Sequence, residues 1–185
     1  MRIGGMAMNP RARITMADGK MMLLELYPDN APITVANFIR LCDEKFFDGL
    51  LFHRVVKDYI IQSGSKTGTC EGRDEGFTIK GEFATNGVDT GLNHERGTIS
   101  MARDRDPDSA STQFFIVHQT ASKLDGRYAA FGRLMDEESY AVLDAIANVS
   151  TLSREEENRP LVPQVIASIT IEGTCPKEEG GAECG

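Results

Sequence analysis

The chain has 185 residues, 41% of them hydrophobic and 26% charged, and a formal net charge of −8. That length suits one substantial core rather than two domains. No basic stripe points to nucleic acid and no apolar window of about 20 residues points to a membrane span, so a cytoplasmic monomer is the expectation.

In chain order, residues 11–16 and 20–27 read as two strands. Asp18-Gly19 lies between them, a strong hairpin signal. In the next segment Val35, Phe38, Ile39 and Cys42 recur at helical spacing, with Pro32 suited to the first turn and Asn30 or Ala31 to the cap. Residues 51–56 and 59–62 are strand-like, and 63–76 form a glycine-bearing loop of mixed charge. A short strand is expected over 77–83, followed by strands over 98–102, 113–117 and 129–134. Asp136 can cap a second helix whose apolar residues include Val142, Leu143 and Ile146. A polar loop over 150–164 leads to a closing strand, 165–171. The domain reading is an N-terminal extension over 1–10, one domain over 11–171 and a flexible tail over 172–185. Many short strands with turns between them suggest a sandwich or barrel.

The four cysteines, Cys42, Cys70, Cys175 and Cys184, form no C-x-x-C pair and are read as structural or free thiols. Gly64-Ser65-Lys66-Thr67 resembles the end of a phosphate loop, but Tyr59 stands where its first glycine is needed. His94-Glu95 lacks the second histidine of a zinc-protease helix, because Thr98 occupies that place. No G-x-S-x-G elbow occurs.

One stretch resists a bland reading. LFHRVVKDYIIQ, residues 51–62, places Arg54 inside an apolar strand. Alternation puts Phe52, Arg54 and Val56 on one face and Leu51, His53 and Val55 on the other. An unpaired arginine does not sit in a dry core, so the Arg54 face should be the outer one. In QFFIV, residues 113–117, Gln113 and Phe115 share one face and Phe114 and Ile116 the other. Two strands that each offer a polar group beside a large apolar one suit a peptide-binding groove. The plainer alternative is a surface arginine paired with one of the 28 acids.

FHRVVKDYIIQSGS, SMARDRDPDSASTQFFIV and LDGRYAAFGRL, together with APITVANFIRLC and the stretch from GEFATNG to LNHERGTISMAR, resemble the cyclophilin-type peptidyl-prolyl cis-trans isomerases, bacterial members above all. The resemblance spans roughly residues 14–171. It implies a mainly β fold: a closed eight-stranded antiparallel β-barrel capped by two α-helices. It also implies catalytic roles for Arg54, Gln62 and Phe115. Substrate contacts are implied for Tyr59, Ile60, Ala102, Arg103, Gln113, Leu124 and Tyr128, and Gly68 corresponds to a glycine at the groove rim. Tyr59 replaces a usual phenylalanine, Ile60 a common methionine and Tyr128 a frequent histidine. Lys123 stands where many members have tryptophan, which implies weak cyclosporin binding.

The partners implied are proline-containing peptides and flexible protein segments, with no nucleic acid, membrane or cofactor. Rotation about an X-Pro bond breaks no heavy-atom bond, so neither nucleophile nor metal is required. Two other classes compete: a domain that binds proline segments without catalysis, and a holdase-like scaffold. A hydrolase built on His53 or His118 has no credible nucleophile nearby in sequence.

Overall fold

The computed structural model describes residues 8–70 and 76–173. Cys175, Cys184 and almost all of the expected tail lie outside the described residues. Eight strands form one antiparallel sheet: β1 Arg11–Met16, β2 Met21–Leu26, β3 Arg54–Val56, β4 Ile60–Ser63, β5 Thr98–Met101, β6 Phe114–Val117, β7 Ala130–Leu134 and β8 Ile166–Glu172. Their order across the sheet is β3-β4-β6-β5-β7-β2-β1-β8. The helices are α1, Pro32–Asp43, and α2, Glu137–Ala147.

The outermost strands, β3 and β8, share no ladder. They approach through the single bridge Leu51↔Val165 and the flanking bonds from Phe52 N to Gln164 O and Ile166 N to Leu50 O, each between 2.8 and 2.9 Å. The sheet is therefore curled but open where the sequence suggests a closed ring. Residues 51–53 bend out of the strand before a ladder can run through the seam.

That bend also corrects the face assignment. Phe52 does not share the outer face with Arg54; it is fully buried, with its ring 6.2 Å from that of Phe114. Regular alternation begins only at Arg54. From there Val55 points inward and Arg54 and Val56 are half-buried.

The expected strand over 77–83 reduces to one bridge, Ile79↔Ala110. Gly81 N–H donates to the Asp108 carboxylate at 2.9 Å, so a side chain takes the donor that a ladder would have used.

The core lies between the inner face of the sheet and the helices. Phe38 of α1 sits at its centre, with ring centroids 5.2 to 5.6 Å from those of Phe47, Phe114 and Phe131. Gly132 lets β7 fit here: a Cβ on it would lie 2.4 Å from Glu25 O. The β1–β2 turn is the expected one, with Gly19 at φ +87° and Met16 N–H donating to Lys20 O.

Asp136 caps α2 by accepting from Ser139 N–H at 2.8 Å, while the Ser139 hydroxyl accepts from Leu23 N–H of β2. The α1 cap position is one of the two expected, but its acceptor is distant in sequence. Ala31 is the N-cap and has no side-chain acceptor. The carboxylate of Glu82, 2% exposed, accepts from Ile33 N–H, Thr34 N–H and the Thr34 hydroxyl instead. Anions favour a helix N-terminus, and here one arrives from 48 residues away. Removing a buried acceptor strands its donors. Glu82→Ala should therefore lower unfolding stability by about 2 kcal/mol in a denaturant titration, with Glu82→Gln costing less.

Candidate active site

The outer face of β3, β4, β6 and β5 carries one cross-strand row. Arg54 pairs with Gln62, Gln62 with Phe115, and Phe115 with Ser100. Neighbours in such a row stand about 5 Å apart, close enough to touch. Arg54 Nη1 donates to Gln62 Oε1 at 3.1 Å, and Gln62 Nε2 donates to Gln113 Oε1 at 2.9 Å. This chain orients the Gln62 amide and leaves the guanidinium at the edge of a cavity.

The cavity has a volume of about 360 Å³. Its apolar part rests on a satellite cluster separate from the core: Ile60, Phe115, Val117, Ala121 and Leu124, with Tyr59, Ala102 and Tyr128 packed against it. Of the residues expected at the site, Arg54, Tyr59, Ile60, Gln62, Ala102, Arg103, Phe115, Leu124 and Tyr128 all line this one cavity. Gln113 instead lines an adjoining small depression, shared with Gln62, Ala102 and Arg103. Gly68 lines neither cavity. Lys123 stays outside, its ammonium 4.2 Å from the centre of the Tyr59 ring.

Arg103 is held as a plate. Its guanidinium lies 4.9 Å from the ring centres of both Phe83 and Tyr128, and Nε and Nη2 donate to Arg127 O. A cation fixed between two rings braces the Tyr128 side of the cavity.

The sequence reading missed several wall residues. Cys70, Arg154, Glu157 and Asn158 close the Arg54 side. They come from two loops joined by the bond from Cys70 N–H to the Glu157 carboxylate at 3.2 Å, and Val55 N–H donates to Asn158 O at 3.0 Å. No local pattern in the polar 150–164 segment signals this. Burial and the nearby Glu157 carboxylate push the Cys70 thiol up to about 11, so it stays protonated at neutral pH.

His94, which has no zinc-protease partner in the sequence, has another place in the structure. Buried, it stacks on Phe115 with centroids 6.0 Å apart, and its ring nitrogens bond to Asp125 at 3.1 Å and Ser100 Oγ at 2.9 Å. Burial pulls its pKa down while Asp125 opposes the shift. Burial also raises the Tyr59 hydroxyl, with Tyr128 adding to it, so Tyr59 is a neutral phenol at working pH.

The family model for cyclophilin-type peptidyl-prolyl cis-trans isomerases matches residues 11–171. The chain is 43% identical over 119 residues to peptidyl-prolyl cis-trans isomerase B of Bacillus subtilis, covering 64% of this chain and 79% of that one. It is 35% identical over 184 residues to a Streptococcus pyogenes bifunctional phosphatase/peptidyl-prolyl cis-trans isomerase, covering 85% of this chain but only 38% of that longer protein. A Cryptosporidium parvum cyclophilin-type isomerase, crystallised in the presence of the dipeptide Ala-Pro, superposes with a TM-score of 0.76 at 27% identity, covering 89% of this chain and 99% of that one. The chain belongs to the cyclophilin-type peptidyl-prolyl cis-trans isomerases.

Gly64 controls how β4 passes the segment that carries Gln113. It has φ +94°, and an added Cβ would lie 2.2 Å from Thr112 O. Gly64→Ala must displace backbone, so it should cost about 2 kcal/mol or more. It should also shift the side-chain amide resonances of Gln62 and Gln113 in an NMR spectrum.

Proposed function

We propose that this isomerase turns X-Pro bonds by holding the proline ring in the apolar cluster while Arg54 stabilises the twisted amide. The observation that carries the reading is the meeting of a half-buried guanidinium with a ring-sized apolar cluster at one cavity.

The planar amide resists rotation by about 18–20 kcal/mol, because its C–N bond has partial double-bond character. Twisting returns the lone pair to the prolyl nitrogen, which becomes pyramidal. A guanidinium N–H can donate to that lone pair and oppose the return to resonance. The interaction exists only in the twisted state, which is what acceleration requires. Arginine fits because it stays protonated and its donors are rigidly arranged.

In this reading Tyr59, Ile60, Phe115, Leu124 and Tyr128 grip the ring. Gln62 and the backbone near Ala102 and Arg103 hold the adjoining chain, and Gln113 orients Gln62. One side is anchored while the other turns. No cofactor enters the step.

The substrates are proline-bearing peptides and flexible segments of other proteins. We place the enzyme in the cytoplasm as a monomer whose isomerase unit is 11–171, with the Leu51–Val165 seam completing a barrel wall. Among the described residues no helix is long and apolar enough to cross a membrane. A binder without catalysis would shift isomer populations but leave the exchange rate of a proline peptide unchanged, so exchange spectroscopy separates the two readings.

Arg54→Ala should keep the near-ultraviolet circular dichroism of the parent and lose at least about tenfold in kcat/KM, equal to about 1.4 kcal/mol of transition-state stabilisation. Wild-type turnover in the folded variant would remove Arg54 from the mechanism. Lys123 supplies no indole to a large apolar ligand, so cyclosporin should inhibit only well above the nanomolar range. Lys123→Trp should tighten it, as titration calorimetry can show.

A further inference from the structure

His118 lies far from Arg54 in role and follows β6 directly, with its side chain 4% exposed. Asp58 N–H donates to His118 Nδ1 at 2.9 Å. A backbone amide can only donate, so Nδ1 must carry a lone pair and the ring proton must sit on Nε2. Nε2 is 3.0 Å from Asp144 Oδ1 of α2, a matching acceptor. Asp144 is fixed in turn by two bonds from Arg96, at 2.8 and 2.9 Å, and Arg96 Nη1 also donates to His118 O. The hydrogen bonds thus specify a neutral imidazole in one tautomer.

The segment it holds carries a wall of the substrate cavity. Asp58 has φ +61° in the turn between β3 and β4, a left-handed conformation uncommon outside glycine. Such a turn persists when its surroundings impose it. His118 does so twice: its ring accepts from Asp58 N–H, and its backbone N–H donates to Tyr59 O at 2.8 Å. Tyr59 is the next residue, and its ring lines the cavity.

We infer that His118 is a positioning residue for the isomerase site: its neutral, Nε2-protonated ring latches the 57–59 turn and so sets Tyr59 against the substrate. The inference rests on Tyr59 being a wall of the proline pocket, as proposed above.

The test uses KM and kcat on an X-Pro tetrapeptide. His118→Leu should raise KM about fivefold or more, with kcat changed less, the mark of lost uniform binding. His118→Asn, whose Oδ1 can accept the same N–H, should recover most of that loss. Long-range proton–nitrogen spectra of the imidazole should show the Nε2–H tautomer.

An Nδ1–H tautomer, or a folded His118→Asn variant with KM raised about fivefold or more, would overturn the latch even if His118→Leu failed to fold. Tyr59→Ala separates the premises. If it raises KM while folded His118→Leu does not, the latch is wrong; if Tyr59→Ala leaves KM unchanged, the pocket assignment on which the latch depends is wrong.

Discussion

The register of four antiparallel strands is the constraint on which the rest of this molecule depends. On the outer face Arg54, Gln62, Phe115 and Ser100 stand side by side. On the inner face the next row is Val55, Ile61, Ile116 and Ile99, each no more than 1% exposed. Because side chains alternate, a slip of one residue would drive Arg54 into the core and push isoleucines into water. The same hydrophobic burial that stabilises the sheet therefore keeps the cation at the cavity. With the role proposed for Arg54, stability and catalysis are coupled through pleat geometry rather than through contact between core and substrate.

Around that row the protein places polar groups whose partners are prearranged. The Gln62 amide has one acceptor and one donor group satisfied, by Arg54 and Gln113, which leaves little freedom to turn. His94 fills the space beside Phe115 and answers both ring nitrogens, with Asp125 and Ser100. Arg103 lies between two rings while its N–H groups meet backbone carbonyls. A site that must discriminate a twisted amide from a planar one gains from such preorganisation, since little has to reorder as the bond turns.

The cavity also has an electrostatic character that the whole chain does not share. The chain is acidic overall, with net charge −8, yet among the described residues Arg54, Arg103 and Arg154 line the cavity with one carboxylate, that of Glu157. Glu157 is engaged by Cys70 N–H and has φ +59°, so its loop is shaped as well as charged. In the proposed mechanism, a cationic recess on an acidic body keeps positive charge where a developing lone pair needs a donor.

The helices, all eight strands and the two-faced character of 113–117 were legible in the sequence because they rest on local periodicity and turn chemistry. Arg54 stood out for a similar reason: a permanent cation in an apolar strand is costly unless it faces outward. Local reasoning failed where distant segments intervene. Asp108 takes the donor that would have made 77–83 a strand, Glu82 caps a helix 48 residues earlier in the chain, and the approach of 164 bends Phe52 into the core. The Arg54-side wall of Cys70, Arg154, Glu157 and Asn158 likewise exists only once two loops meet. The chain by itself determined which faces are apolar and which strand bears the cation, because those follow from the order of side chains. Tertiary structure alone decided which groups close the cavity and which tautomer of His118 holds its rim, because those depend on atoms brought within hydrogen-bond reach by folding.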